Sequence, residues 1–262
     1  MDLGIAGKIA LVAGGSAGLG GASALALAQE GADLYISARG SERLEAAAAD
    51  IRLATGATVT PIVSDHGTEQ GRQQLYSVCP APDIVVITFS PPPLTDDFRA
   101  VVPDQWRTVL ESMVVGSIEL MRHYSQGMAD RGSGRIVNIG TIAAKYPMAS
   151  RALSGASRAA VTNYAVGLSK VVARHGVVVN SLLPGIFETP GLTTTFVDAA
   201  AANGTTEYEE RQRFLGRFNI PARRYGSPEE LGAWCAMLCS RQASYLTGQS
   251  VGVDGGLGGG LF

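Results

Sequence analysis

Several features that would point elsewhere are scarce in these 262 residues. Cysteine occurs three times, an odd count that excludes a closed disulfide framework. Cys235 and Cys239 stand four apart on an expected helix, where they read as buried apolar thiols sharing a face. No histidine gives them metal-ligand spacing, so no metal site is expected, and a reducing cytoplasm fits best. The formal net charge is only −2; without a basic field, nucleic acid and an anionic membrane surface are not expected partners. Met1–Leu11 has no long apolar run and no cleavage signal, so neither export nor anchoring is expected. No internal repeat or biased linker divides the chain, and one domain over 1–262 is the expectation.

What is present is a large apolar fraction, 46% hydrophobic against 17% charged, arranged in alternation. Strand-length apolar runs at Lys8–Ala13, Asp33–Ala38, Thr58–Val63, Asp83–Thr88, Gly134–Ile139, Val177–Leu182 and Ser250–Val253 are interleaved with helical patterns. Those helices are expected at Gly18–Gln29, Glu42–Leu53, Pro103–Ala129, Arg151–Arg174 and Pro228–Cys239. Strands that are apolar throughout, rather than at every second residue, have both faces covered. The expected fold class is therefore α/β, a single doubly wound Rossmann-type parallel sheet with helices on both faces. The polar segment 191–224 breaks the rhythm and reads as a helical excursion on the substrate side.

The first strand is followed by Ala13-Gly14-Gly15-Ser16-Ala17-Gly18-Leu19-Gly20. Gly14, Gly18 and Gly20 suit a tight turn, a close approach of a pyrophosphate and contact between helix and sheet, with Ser16 and Leu19 as further cofactor contacts. The helix that opens there offers unpaired N–H groups and its positive end. The second strand ends in Ser37-Ala38-Arg39, with no carboxylate for a ribose 2′-hydroxyl and a guanidinium suited to a 2′-phosphate. NADP is therefore expected as cofactor over NAD. Asp65 is placed to meet the adenine amino group, and His66 beside it reads as a surface histidine.

With these elements in place, the chain resembles the short-chain dehydrogenase/reductase family along essentially its whole length. The resemblance is carried by Gly14–Gly20, Asp83–Ser90, Arg135-Ile136-Val137-Asn138-Ile139, Asn180-Ser181-Leu182-Leu183-Pro184-Gly185, Tyr245-Leu246-Thr247-Gly248-Gln249 and Val253-Asp254-Gly255-Gly256. More narrowly, Ser90-Pro91-Pro92-Pro93 with Leu153-Ser154 and Arg158-Ala159-Ala160-Val161-Thr162 is similar to a divergent 3-oxoacyl-carrier-protein-reductase-like group. It implies a cofactor flanked by Thr88, Pro184, Gly185 and Ile186, with Thr189 on the pyrophosphate side and Arg158 on the nicotinamide ribose.

The family's catalytic pattern is where this chain departs. The asparagine that holds a relay water aligns with Met113, whose thioether sustains no relay. The serine that polarises the carbonyl aligns with Thr141, which keeps a hydroxyl. The tyrosine and lysine of Tyr-x-x-x-Lys align with Ser154 and Arg158. An alkyl hydroxyl is far less acidic than a phenol, and a guanidinium keeps its proton. Lys145 and Tyr146, on the segment leaving the fifth strand, are candidates to rebuild an acid and its electrostatic helper. Glu188 and Tyr164 are further candidates, Tyr164 reading as core or interface, and His123 belongs to a polar helix face.

Three functional readings follow. The first is an NADP(H)-linked oxidoreductase acting on a carbonyl or alcohol with a relocated proton donor. The second is a non-redox lyase, dehydratase or retro-aldol enzyme on the same scaffold. The third is a nucleotide-binding subunit with a decayed site. Phe89, Phe187 and Phe196 are available to a partly apolar substrate pocket. The long helices Pro103–Ala129 and Arg151–Arg174 carry more apolar surface than one core needs, and with the terminal Leu261-Phe262 they suggest a homo-oligomer, a dimer or tetramer.

Overall fold

The structure is a computed structural model that describes residues 1–92, 94 and 97–259; the expected roles of Pro93 and of Leu261-Phe262 lie outside the described residues. Seven strands form one sheet: β1 (Ile9–Ala13), β2 (Asp33–Ala38), β3 (Val59–Val63), β4 (Ile84–Ile87), β5 (Gly134–Ile139), β6 (Val177–Pro184) and β7 (Ser250–Val253). Their order is β3-β2-β1-β4-β5-β6-β7, and every pairing is parallel. The chain winds outward from β1 to β3, then returns to β4 on the other side of β1. That reversal leaves a crevice outside the carboxyl ends of β1 and β4, the place where this architecture takes ligands.

The strands are continuously apolar because successive residues feed two different cores. Ala10, Val12, Ile84 and Val86 pack under α1 (Gly18–Gln29), α2 (Ser41–Thr55) and α9 (Pro228–Cys239), against Leu27, Leu44, Leu231 and Cys235. Leu11, Ala13, Val85 and Ile87 face the opposite layer of α3 (Glu69–Val78), α5 (Gly116–Asp130) and α6 (Ala152–Val172), against Leu75, Leu120, Tyr124 and Val161. All three cysteines are buried and unpaired, and burial pushes the Cys79 thiol up to about 12, so no reactive thiolate is offered.

Two elements differ from the sequence reading. α3 is a helix where none was expected: Thr68 caps it by accepting from Gly71 N at 3.1 Å, and Leu75 is its one buried apolar side chain. The expected single helix Pro103–Ala129 is α4 (Pro103–Val109), a π-helical stretch Leu110–Val115 and α5. The excursion is two helices, α7 (Pro190–Asn203) and α8 (Glu207–Phe218), built around Phe196, Ile220 and Tyr225 with Ile186 of the loop after β6.

Candidate active site

The loop between β1 and α1 is shaped by glycines that tolerate no substituent. Gly14 has φ +90°, and a Cβ there would lie 2.6 Å from Thr88 O; one on Gly20 would lie 2.2 Å from Gly14 O. Gly14 N and Gly15 N both donate to Ser37 O, at 2.9 and 3.0 Å, which fixes the turn against the end of β2. No side chain caps the first turn of α1, and no acidic residue occupies it, so its N–H groups and positive end face the crevice. Ser16 and Leu19 are half-buried at that mouth. Across it stands Thr189, 3.6 Å (Cγ2) from where a Gly18 Cβ would be. Thr189 Oγ1 caps α7 by accepting from Leu192 N, which leaves its O–H free to donate. The structure thus brings Gly14, Gly18, Gly20 and Thr189 together at the uncapped N-terminus of α1.

Arg39 is exposed just beyond β2 and forms no hydrogen bond or ion pair among the described residues; Ser37 Oγ beside it is buried without a partner. Asp65 Oδ1 accepts from Gly67 N at 3.0 Å, leaving its second oxygen available. His66 is not at the surface, as the sequence suggested. It is buried, its ring 4.1 Å from that of Phe89 and its Nε2 3.1 Å from Thr88 O. Because a carbonyl only accepts, Nε2 carries the proton. Burial lowers the His66 pKa to about 4, so the ring is neutral and braces the β4 loop against the end of β3. The buried Arg72 holds the same corner from below, donating to His66 O and Gly67 O.

Arg158 lies at the opposite end of the β4 loop. Its Nη1 donates to Ile139 O at 2.9 Å and Gly140 O at 2.7 Å, and its Nη2 to Phe89 O at 2.6 Å. It ties the ends of β4 and β5 together, while its Nε is buried without a partner. Burial, then the charge of Arg151, lowers its pKa to about 10, so it stays charged near neutrality. One turn earlier on the same face of α6, Ser154 is buried and makes no side-chain hydrogen bond among the described residues. Met113 lies in the π-helical stretch, packed with Val109 and Leu153 and against Phe89 and Trp106.

Thr141 caps the short turn Ile142–Ala144, accepting from Ala143 N at 3.4 Å. That turn packs on α6 at Gly155, where a Cβ would lie 3.2 Å from Ala143 O, so the turn capped by Thr141 lies against the start of α6, beside Ser154. Lys145 is exposed with Nζ 5.7 Å from the Tyr146 ring centre. Tyr146 is half-buried under the segment after β7: a Cβ on Gly258 would meet Tyr146 Cε2 at 2.5 Å. Asp254 orders that segment, accepting from Gly256 N at 3.0 Å and Gly258 N at 2.7 Å. The sequence reading used neither Asp254 nor Gly258; the signal available was Asp254-Gly255-Gly256, an aspartate before glycines that favours a side-chain-stabilised turn.

Pro184 ends β6 in a buried position, Gly185 abuts Asp254 and Ile186 is buried beneath the excursion. Phe187 belongs to the core under α1 and α9, and Phe196 to that of the excursion; only Phe89 of the three stands at the β4 loop. Glu188 is no free acid: it accepts from Arg211 Nη1 at 2.8 Å, and Arg211 also bonds Glu207 and Thr193. Tyr164 is half-buried against the α5–α6 core, and His123 is exposed and stacked on Tyr76. Among the described residues no cluster of potential ligands could hold a metal.

Placed against known proteins, residues 13–258 match the family described as Enoyl-(Acyl carrier protein) reductase. The chain belongs to the short-chain dehydrogenase/reductase family. It is 30% identical over 255 residues to the NADPH-dependent reductase BacG of Bacillus subtilis (strain 168), covering 95% of this chain and 97% of the relative. It is 29% identical over 254 residues to the 3-oxoacyl-(acyl-carrier-protein) reductase FabG of Vibrio harveyi, covering 96% and 97%. The fold superposes on L-sorbose reductase from Gluconobacter frateurii, solved with NADPH and L-sorbose, with a TM-score of 0.94 and 29% identity over the whole of both chains.

Proposed function

We propose that the protein is an NADP(H)-linked oxidoreductase acting on a carbonyl or alcohol, with its proton donor relocated from position 154. The observation that carries this reading is the glycine cradle faced by Thr189, with an unpartnered Arg39 at the end of β2. A turn whose Gly14 and Gly20 admit no Cβ, at an uncapped helix N-terminus and with an orphaned buried hydroxyl at Ser37, fits a dinucleotide carrying a 2′-phosphate. The NADPH-dependent relatives support the same cofactor. The α1 N-terminus, Ser16, Gly18 and Thr189 would hold the pyrophosphate, Arg39 the 2′-phosphate, and Asp65 the adenine amino group. Pro184, Gly185 and Ile186 would wall the nicotinamide, with Thr88 and Leu19 lining the path between. Bound there, NADPH supplies hydride to a carbonyl carbon.

The chain's own residues then have separable tasks. Thr141 donates a hydrogen bond to the carbonyl oxygen, where negative charge develops. Tyr146 supplies the proton that oxygen takes up, and Lys145, with its ammonium beside the ring, stabilises the phenolate that remains. Arg158 holds the ends of β4 and β5 and would reach the nicotinamide ribose through the second N–H of Nη2; Ser154 would line the substrate space. A lyase would use the same hydroxyl and cations to stabilise an enolate, but the intact 2′-phosphate corner favours a cofactor that reacts.

The assembly we propose is a homo-oligomer through the two long helical regions, where Leu110, Val115 and Val171 are exposed; a monomeric mass by light scattering would refute it. Unpaired buried thiols support a reducing, cytoplasmic location, and among the described residues no helix is long and apolar enough to cross a membrane. The deciding experiment is a fluorescence titration with NADPH and NADH in parallel. Selective NADPH binding, lost in Arg39→Ala, is the expected result; failure to bind either nucleotide ends the reductase reading.

A further inference from the structure

The start of α6 holds positive charge with no acidic side chain paired to it among the described residues. Arg158 is buried, and its donors go to backbone carbonyls rather than to an acid. Arg151 stands one residue before the helix, half-buried, with no side-chain hydrogen bond or ion pair among the described residues. It does not cap the helix, whose 21 residues begin with no side chain over their first turn, so the helix adds its positive end to the two guanidiniums. Burial disfavours both cations, and the charge acting on Arg158 is the like charge of Arg151. Asp254, which meets Tyr146 at Gly258, accepts from Gly256 N through one oxygen and from Gly258 N through the other. Lys145 adds an exposed ammonium.

Two unanswered polar atoms point to what completes this arrangement. Ser154 is a buried residue whose hydroxyl makes no hydrogen bond among the described residues, and Arg158 Nε is a buried atom without a partner. The two lie four residues apart on one face of α6, beside the turn that Thr141 caps. Uncompensated buried cations are costly, and a protein retains them where a ligand supplies the counter-charge.

We infer that the α6 N-terminus is a carboxylate receptor, and that the substrate is an oxo acid whose carboxylate sits against Ser154 and Arg151 with Arg158 behind it. The inference rests on the reductase reading for the oxo group and on the Arg151–Ser154–Arg158 cluster alone for the acid. A guanidinium fork matches a carboxylate's planar pair of oxygens, as it does a phosphoryl group's, and the phosphate arm of the test separates the two. With the carboxylate so placed, the neighbouring carbonyl of a 2-oxo or 3-oxo acid lies toward Thr141.

The test is calorimetric titration of the NADP⁺-saturated protein with acetoacetate, 2-oxobutyrate and methyl acetoacetate, with inorganic phosphate as a competing arm. At least one acid should bind about tenfold or more tighter than the ester, as one lost charge-assisted contact implies. Arg151→Met and Ser154→Ala should erase that preference, Arg151→Lys should restore part of it, and NADPH affinity should be unchanged in Arg151→Met. Equal or tighter binding of the ester, no binding of either acid, an acid preference that survives Arg151→Met, or phosphate displacing both acids more tightly than they bind overturns the inference. If the protein binds no nucleotide, the reductase reading falls by itself. The same titration without nucleotide then decides the receptor: an acid preference retains it and its absence removes it.

Discussion

His66 shows how one side chain holds a loop in place through its charge state. Its pKa is lowered to about 4 by burial, with the Thr88 hydrogen bond and Asp65 acting in the opposite sense. A histidine with a depressed folded-state value stabilises the fold fully above its unfolded value of about 6.5. That contribution is lost as pH falls from there through about 4. A shift of this size corresponds to on the order of 3 kcal/mol. The urea midpoint should therefore drop between about pH 7 and pH 4.5, and His66→Gln, which keeps a donor for Thr88 O without a titrating ring, should flatten the drop. An unchanged profile in that variant would assign the pH dependence elsewhere. At the substrate side, Tyr146→Phe should cost about 10²–10⁴-fold in kcat, the range for a removed general acid. Gly258→Val should reproduce much of that loss by displacing the ring it covers; stopped assays with full activity in both variants would take the acid role from Tyr146. Gly14, Gly18 and Gly20 were legible in the sequence because a positive φ or a close backbone approach demands glycine there, whereas Thr189 was expected from the family resemblance alone. The anchoring of Arg158 was not legible, because its three partners are main-chain carbonyls, which leave no mark on residue identity. His66 was misjudged for a related reason: its partners Thr88 and Phe89 lie more than twenty residues away.

At the scale of elements, β-strands declared themselves by continuous apolar runs, while two helical features did not. α3 reads Glu69-Gln70-Gly71-Arg72-Gln73-Gln74-Leu75-Tyr76-Ser77-Val78, with no apolar stripe; it is held by Leu75, the buried Arg72 and the Thr68 cap. The π-helical stretch around Met113 is a shift of backbone register, to which composition is blind, and such stretches recur at functional sites. The excursion was visible as an interruption, but its tether was not: Arg211 joins α8 to Glu188 and Thr193 and lies 5.2 Å from the Phe196 ring centre. Tyr225 locks the same point by donating to Arg211 O at 2.7 Å. Exposed ion pairs add little to global stability, so Arg211→Met should lower the overall unfolding free energy by no more than about 1 kcal/mol. Its effect should be local. Limited trypsin digestion should cut within residues 190–224 several-fold faster than in the parent protein, while the thermal midpoint moves only slightly. Cleavage at the parent rate would show that the Phe196–Tyr225 core alone holds the excursion closed.

Across the whole molecule, the nucleotide crevice gathers segments from the ends of β1, β2, β3, β4, β5 and β6, so occupancy there should couple to global unfolding. Gly14 is bonded to the end of β2, His66 joins β3 to the β4 loop, Arg158 joins β4 to β5, and Thr189 follows β6 across from Gly18. A ligand that binds only the folded chain at a hundred times its Kd adds about 2.7 kcal/mol. For a chain of this size each kcal/mol moves the midpoint by about 2–4 °C, so saturating NADPH should raise Tm by about 5–10 °C. NADH at the same concentration lacks the 2′-phosphate that Arg39 would meet and should raise it less. The difference should vanish in Arg39→Ala, whose exposed side chain takes part in no described contact that folding needs. A calorimetric scan of both proteins with each nucleotide measures all four midpoints. Equal shifts for NADPH and NADH in the parent protein would remove Arg39 from the site while leaving the glycine cradle as the common element. A shift for neither would mean that the cradle, though built, takes no dinucleotide.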